Sequence, residues 1–94
     1  MTDPSALAAA LPGSLTCANC GDGIQRGYVA ATAEGSDYTL HVDDAVCDTC
    51  GWSERGSMGC APLLSDFETG DLLLRVEREG DALAPAAITD RADG

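Results

Sequence analysis

Apolar and polar residues alternate most regularly over Tyr38-Thr39-Leu40-His41-Val42-Asp43. A period of two places Tyr38, Leu40 and Val42 on one face of a strand and Thr39, His41 and Asp43 on the other. Upstream, Arg26-Gly27-Tyr28-Val29-Ala30-Ala31-Thr32-Ala33 is a second strand-like run, and Glu34-Gly35-Ser36-Asp37 separates the two. Two such runs about a Gly-containing turn predict a β-hairpin. The run over residues 71–80 reads two ways. As a strand it aligns Leu72, Leu74 and Val76; as a helix it gathers Leu72, Leu73 and Val76 with Gly80 as a stop. The bracketing Gly70-Asp71 and Gly80-Asp81 favour the strand. Elsewhere no long period appears. Residues 5–11 are Ala-rich and end at Pro12-Gly13, which allows one or two helical turns, frayed or docked. Residues 53–59 read as a loop, and residues 62–68 as a short helical turn with Ser65 and Glu68 at capping-box spacing. Residues 81–94, rich in Ala, Pro and acid, read as a disordered acidic tail. The predicted organisation is a flexible or short-helix segment over 1–14, a domain over 15–80 and the tail over 81–94.

Size changes what this pattern can sustain. Apolar residues make up 45% of the 94, but much of that share is Ala, with one Trp, one Phe and two Tyr. Domains below about 70–80 residues generally need a disulfide, a metal or a partner as a staple. Charge adds a second constraint. Sixteen acidic residues face five basic ones, all Arg (Arg26, Arg55, Arg75, Arg78 and Arg91), for a net charge of −11. At about 1 M salt the Debye length falls to about 3 Å, which screens such self-repulsion. Abundant Asp, Ala, Gly and Thr without Lys resembles the composition of proteins from salt-loving archaea; an acidic mesophilic chain is the plainer alternative. The same acidity disfavours nucleic-acid binding, which needs clustered Lys and Arg. Met1-Thr2-Asp3-Pro4 lacks the basic start of a secretory leader, and no run approaches the about 20 residues that cross a bilayer. A cytoplasmic, reducing setting is expected, where paired cysteines read as metal ligands or redox thiols rather than disulfides.

Five cysteines are available as the staple, and four form two Cys-x-x-Cys-Gly units: Cys17-Ala18-Asn19-Cys20-Gly21 and Cys47-Asp48-Thr49-Cys50-Gly51. A tetrahedral ion bound by sulfur needs four thiolates at about 2.3 Å. A spacing of two residues lets one tight turn supply two of them and aims its N–H groups at the sulfurs. The Gly after each second Cys is expected to carry the chain away at positive φ. The 26 residues between the units (21–46) suffice for a hairpin whose return brings the second turn beside the first. Cys17, Cys20, Cys47 and Cys50 are therefore the predicted ligands of one structural Zn²⁺. Such a site has every position filled by protein and no place for substrate, so no enzyme activity is expected at it. Cys17→Ser or Cys50→Ser is expected to remove the metal and expose the core together.

Over residues 17–52 the chain resembles the zinc-ribbon class, and most of all the small cysteine-paired zinc-finger proteins of haloarchaea. The resemblance implies a small metal-stapled β-rich domain: two knuckles joined by a β-hairpin, binding zinc with these four cysteines, and no particular reaction. Many such proteins carry Pro after the first Cys of a knuckle, where this chain has Ala18 and Asp48. Two other chemistries fit the cysteines less well. Iron in a rubredoxin-like electron-transfer site shares the S₄ ligand set, but Trp52 is the one aromatic next to either pair. A dithiol switch normally opens a helix, and Gly21-Asp22-Gly23 is a poor helix start.

The remaining polar residues add little chemistry. His41 reads as part of a solvated face, Asp43 and Asp44 as surface charge, and Arg75, Glu77, Arg78 and Glu79 as a solvated face with local ion pairs. Cys60 reads as a small apolar residue, with a replacement ligand, a second metal site or interchain pairing as alternatives. Trp52 reads as a packing residue or a partner anchor. No phosphate loop, nucleophile elbow or nucleotide fingerprint is present. The function that best fits is a non-enzymatic zinc module acting through protein–protein contact, as a small regulator or adaptor in a halophile, with no small-molecule substrate and no membrane. A nucleic-acid-associated zinc ribbon of transcription or translation is the first alternative, favoured if Arg26, Arg55, Arg75 and Arg78 cluster on one face. The iron electron-transfer protein is the second.

Overall fold

The computed structural model describes residues 7–8, 11–35, 37–51, 64, 67 and 70–92. Its centre is β1, Arg26–Glu34. One edge of β1 pairs with two strands in succession. β2 (Asp37–Leu40) closes the hairpin with Glu34 opposite Asp37 and Ala31 opposite Leu40. The chain then turns through a 3-10 helix, Val42–Asp44, and returns as β3 (Val46–Cys47), with Tyr28 opposite Val46 and Gly27 opposite Cys47. The other edge of β1 pairs with β4 (Leu72–Glu79), and β4 pairs with β5 (Ala82–Arg91). All pairings are antiparallel, and the path β2-β1-β4-β5 plus β3 makes a five-stranded sheet.

Cross-strand partners share a face. Val29 with Leu74, and Ala31 with Leu72, lie on one; Tyr28 with Arg75, and Ala30 with Leu73, lie on the other. All of these but Arg75 are buried, so both faces of the central strands are covered. Ile24 packs beside Gly27 on the first face, and Leu64 beside Ala30 on the second. A buried Leu or Val side chain contributes about 1.5–3 kcal/mol. Leu73, Leu74, Val29, Val46 and Val76, all fully buried, thus form the energetic centre.

The hairpin and the strand over 71–80 form as expected, with three differences. First, β2 stops at Leu40. Val42 and Asp43 belong to the 3-10 turn, and Val42 is 42% exposed rather than aligned with Leu40. Second, the tail expected over 81–94 is ordered through residue 92. Gly80 takes φ 66, and Ala82 pairs back on Glu79, so Gly80-Asp81 is a two-residue hairpin loop. Pro85 is accommodated because β5 is the outer strand, where a missing N–H is tolerated. The register slips between Leu73 and Leu74 and between Arg75 and Val76, leaving Thr89 and Ala86 as the extra residues of β5. Third, Leu7 is fully buried, and Leu11 N–H donates to Leu7 O at 3.1 Å, so part of 1–14 docks on the sheet. The domain therefore extends past both boundaries drawn at 15 and 80.

Candidate metal centre

The first knuckle hangs in a narrow loop. Ile24 N–H donates to Leu15 O at 2.8 Å, Thr16 bridges Gly23, and Cys17 N–H donates to Asp22 O at 2.8 Å. Gly21 N–H returns to Cys17 O at 2.9 Å, and Gly21 leaves at φ 82, as expected of a glycine there. The second knuckle grows out of the sheet. Cys47 ends β3, and Asp48–Cys50 makes one helical turn, α1. Gly51 does not take positive φ. It stays helical at φ −59 and ψ −44, with its N–H on Asp48 O, so it closes the one-turn helix rather than reversing the chain.

One inner bond is common to both units. Cys20 N–H donates to Cys17 Sγ at 3.5 Å, and Cys50 N–H donates to Cys47 Sγ at 3.5 Å. Two further bonds join the units to each other: Ala18 N–H to Ala45 O at 2.7 Å, and Asn19 Nδ2 to Cys50 Sγ at 3.4 Å. The four Sγ atoms of Cys17, Cys20, Cys47 and Cys50 all lie within 4.8 Å of one another, and Cys20 and Cys47 are 3.9 Å apart. A tetrahedral ion with bonds of about 2.3 Å to sulfur spaces its ligands about 3.8 Å apart. The cluster therefore fits a tetrahedral ion, and the four cysteines are free thiols rather than disulfide partners.

The hydrogen bonds and the crowding split the thiols electrostatically. Burial disfavours the Cys17 thiolate, but the backbone N–H groups of Cys20, Cys47 and Asn19 outweigh it and bring Cys17 down to about 6. Cys50 moves the other way. The Asn19 amide favours its thiolate, yet the Cys47 sulfur, burial and the Cys17 and Cys20 sulfurs together push it up to about 12. At Cys20 the Asp22 N–H favours the thiolate, but the Cys17 sulfur and burial leave the thiol raised. Four thiolates cannot crowd together without a cation to hold them, and a divalent ion supplies that charge. Cys17 and Cys50 are buried and Cys20 is exposed, so one corner of the cluster faces solvent. A cleft of about 490 Å³ opens there, reaching Gln25, Arg26 and Thr49.

Among the described residues, the other candidates stay outside the cluster. His41 is half-buried, and its Nε2 lies 2.6 Å from Thr32 Oγ1. Asp43 is exposed on the 3-10 turn. Trp52, Arg55, Cys60 and residues 53–59 lie outside the described residues; of residues 62–68 only Leu64 and Phe67 are described, joined by a turn bond of 3.0 Å. Three functional residues escape the sequence reading. Asn19 and Asp48 sit inside the Cys-x-x-Cys units, where polar identity was the available signal. Arg75 reaches Asp48 at 2.8 Å, a contact that depends on β3 and β4 flanking β1 and has no local signature. The expected solvated face is corrected to this extent.

Comparison of the chain with protein-family models, curated proteins and solved structures returns no match. The assignment that stands is a small β-rich domain with an antiparallel sheet and a four-cysteine centre able to hold a metal ion.

Proposed function

We infer that the protein is a zinc-stapled module of the zinc-ribbon kind, resembling those of haloarchaea, that acts through protein contact rather than by catalysis. The observation carrying this reading is the four-sulfur cluster, in which every position of a tetrahedral ion is taken by protein. Function then falls to the surface around the ion. Exposed Val42, beside Leu15 and Cys17 in an open cleft of about 460 Å³, is an apolar element such a contact can use. The arginines give little support to nucleic-acid binding. Arg26 faces Glu77, Arg75 is held by Asp48 and Glu77, and Arg78 lies on the opposite face from both. The charge of −11 fits a protein working at high salt in the cytoplasm, as a small regulator or adaptor. No helix among the described residues is long and apolar enough to cross a membrane.

Native mass spectrometry with metal analysis, on protein purified from its own cells, tests the reading. One zinc per chain with a co-purifying protein is expected. A coloured ferric sample points instead to the rubredoxin-like electron-transfer role, and a co-purifying nucleic acid points to the transcription or translation role. A chain without metal overturns the reading.

A further inference from the structure

One arginine joins the sheet to the metal centre. Arg75 lies on β4 opposite Tyr28. Its Nη1 donates to Asp48 Oδ1 at 2.8 Å and to Tyr28 Oη at 3.0 Å, and its Nε donates to Glu77 Oε2 at 3.3 Å. Its guanidinium carbon stands 5.3 Å from the centroid of the Tyr28 ring. The side chain is only 22% exposed, so a long, flexible cation is held in one place by three partners. Asp48 follows Cys47 directly and opens the turn that ends at Cys50.

The charges show why that place matters. A divalent ion with four thiolates carries a net charge of about −2. The Asp48 carboxylate stands one residue from a ligand and adds to that negative charge, in a chain already at −11. Unopposed, it adds repulsion at a site already crowded with negative charge. We propose that Arg75 is a positioning residue for the metal centre, holding the Cys47–Cys50 turn against the sheet through Asp48 and cancelling the Asp48 charge beside the thiolates. The proposal rests on the reading that the four cysteines bind a divalent ion. Residues that orient metal ligands from outside commonly change metal affinity by about 10–100-fold.

A mutant cycle on the full chain tests it, with Zn²⁺ affinity read by chelator competition and thermal stability read on the metal-free protein. Arg75→Gln is expected to weaken Zn²⁺ binding by about tenfold. Because Arg75 acts through Asp48, the same change on an Asp48→Asn background is expected to alter affinity by less than about twofold. A role in packing against Tyr28 or Glu77 alone predicts equal losses on both backgrounds, or a lower melting temperature with unchanged affinity; either result overturns the proposal. If Arg75→Gln does not fold, Arg75→Lys takes its place, since it keeps the cation and loses the planar fork. Its effect, too, has to vanish on the Asp48→Asn background, and equal loss on both backgrounds overturns the proposal. Wild-type protein that binds no Zn²⁺, Co²⁺ or Fe²⁺ fails the metal centre and this proposal together. A zinc-binding wild type matched by Arg75→Gln fails the Arg75 assignment alone.

Discussion

The two knuckles share a spacing and an inner N–H to sulfur bond, but the fold supports them unequally. The second is part of the sheet: Cys47 pairs across from Gly27 in β3, and Arg75 of β4 grips Asp48. The first lies outside the five strands, in a loop whose base, Leu15 and Ile24, packs into the core, and its tip meets the second through Ala18, Asn19 and the sulfurs. One knuckle is thus a platform, and the tip of the other is a flap, anchored at its base by buried Leu15 and Ile24, that a bound ion would fasten to it. The metal's binding energy, of the order of 10–16 kcal/mol in small zinc peptides, then acts mainly on the flap.

The largest effect tests that division. Cys17→Ser and Cys50→Ser each remove a buried ligand, and both are expected to abolish tight metal binding. Hydrogen exchange should show the Cys17 and Gly21 amides losing protection in either variant, while amides between β1 and β4 keep theirs. The expectation from size alone is different: core and metal go together. The sheet is expected to depart from it because β1, β4 and β5 pair with one another over lengths that involve neither knuckle. Uniform loss of protection across the chain would break the distinction and restore an all-or-none metal fold.

Proton linkage gives the next effect. The metal-free cluster keeps Cys17, with its value near 6, largely as thiolate at neutral pH, whereas Cys50, near 12, and the raised Cys20 stay protonated. Metal binding must displace those held protons, so affinity rises with pH. Each displaced proton contributes about tenfold per pH unit. With Cys20 and Cys50 both releasing one, affinity is expected to climb at least about 100-fold between pH 6.5 and 7.5. Below about pH 6 the slope steepens as Cys17 also has to lose a proton. Calorimetry in buffers of different ionisation enthalpy counts the protons. A flat profile would remove the contrast between a charged Cys17 and a protonated Cys20 and Cys50.

Gly27 sharpens the contrast from the sheet side. A Cβ there would stand 3.0 Å from Cys47 Cα and 3.0 Å from Ile24 Cγ2, and closer still to the Val46 carbonyl oxygen. Backbone cannot yield as a side-chain tip does, so Gly27→Ala pushes β3 away from β1. The cost is expected at about 1–3 kcal/mol, as for an overpacked core, seen in the midpoint of denaturant unfolding. Metal affinity should fall with it, because Cys47 rides on β3. Lost stability with unchanged affinity would mean that the second knuckle does not depend on the sheet.

What the sequence discloses follows from the range of the interactions. The knuckles are legible because thiolate spacing within a turn is a local matter, and the β1–β2 hairpin because alternation is local too. β5 is hidden by composition: Ala82, Ala84, Ala86 and Ala87 bury little, and Pro85 argues against a strand. The Gly80-Asp81 loop between Leu72–Glu79 and the Leu83 to Ile88 run was the available hairpin signal. The grip of Arg75 on Asp48 depends on how β3 and β4 flank β1, which no window of the sequence contains.

The smallest effect probes the seam between flap and platform. Asn19 of the first knuckle donates to Cys50 Sγ of the second at 3.4 Å, so its amide both links the units and favours the Cys50 thiolate. Asn19→Ala forfeits a bond of about 1 kcal/mol, which corresponds to about fivefold faster zinc loss to a chelator. Asn19→Asp should be worse than Asn19→Ala, since it sets a carboxylate against a thiolate where a donor stood. In both variants the melting temperature of the metal-free protein should hold, because the seam matters only once the ion closes it. If Asn19→Ala instead lowers that temperature and leaves zinc loss unchanged, the first knuckle is packed onto the domain by its own contacts, and the ion fastens nothing that was free.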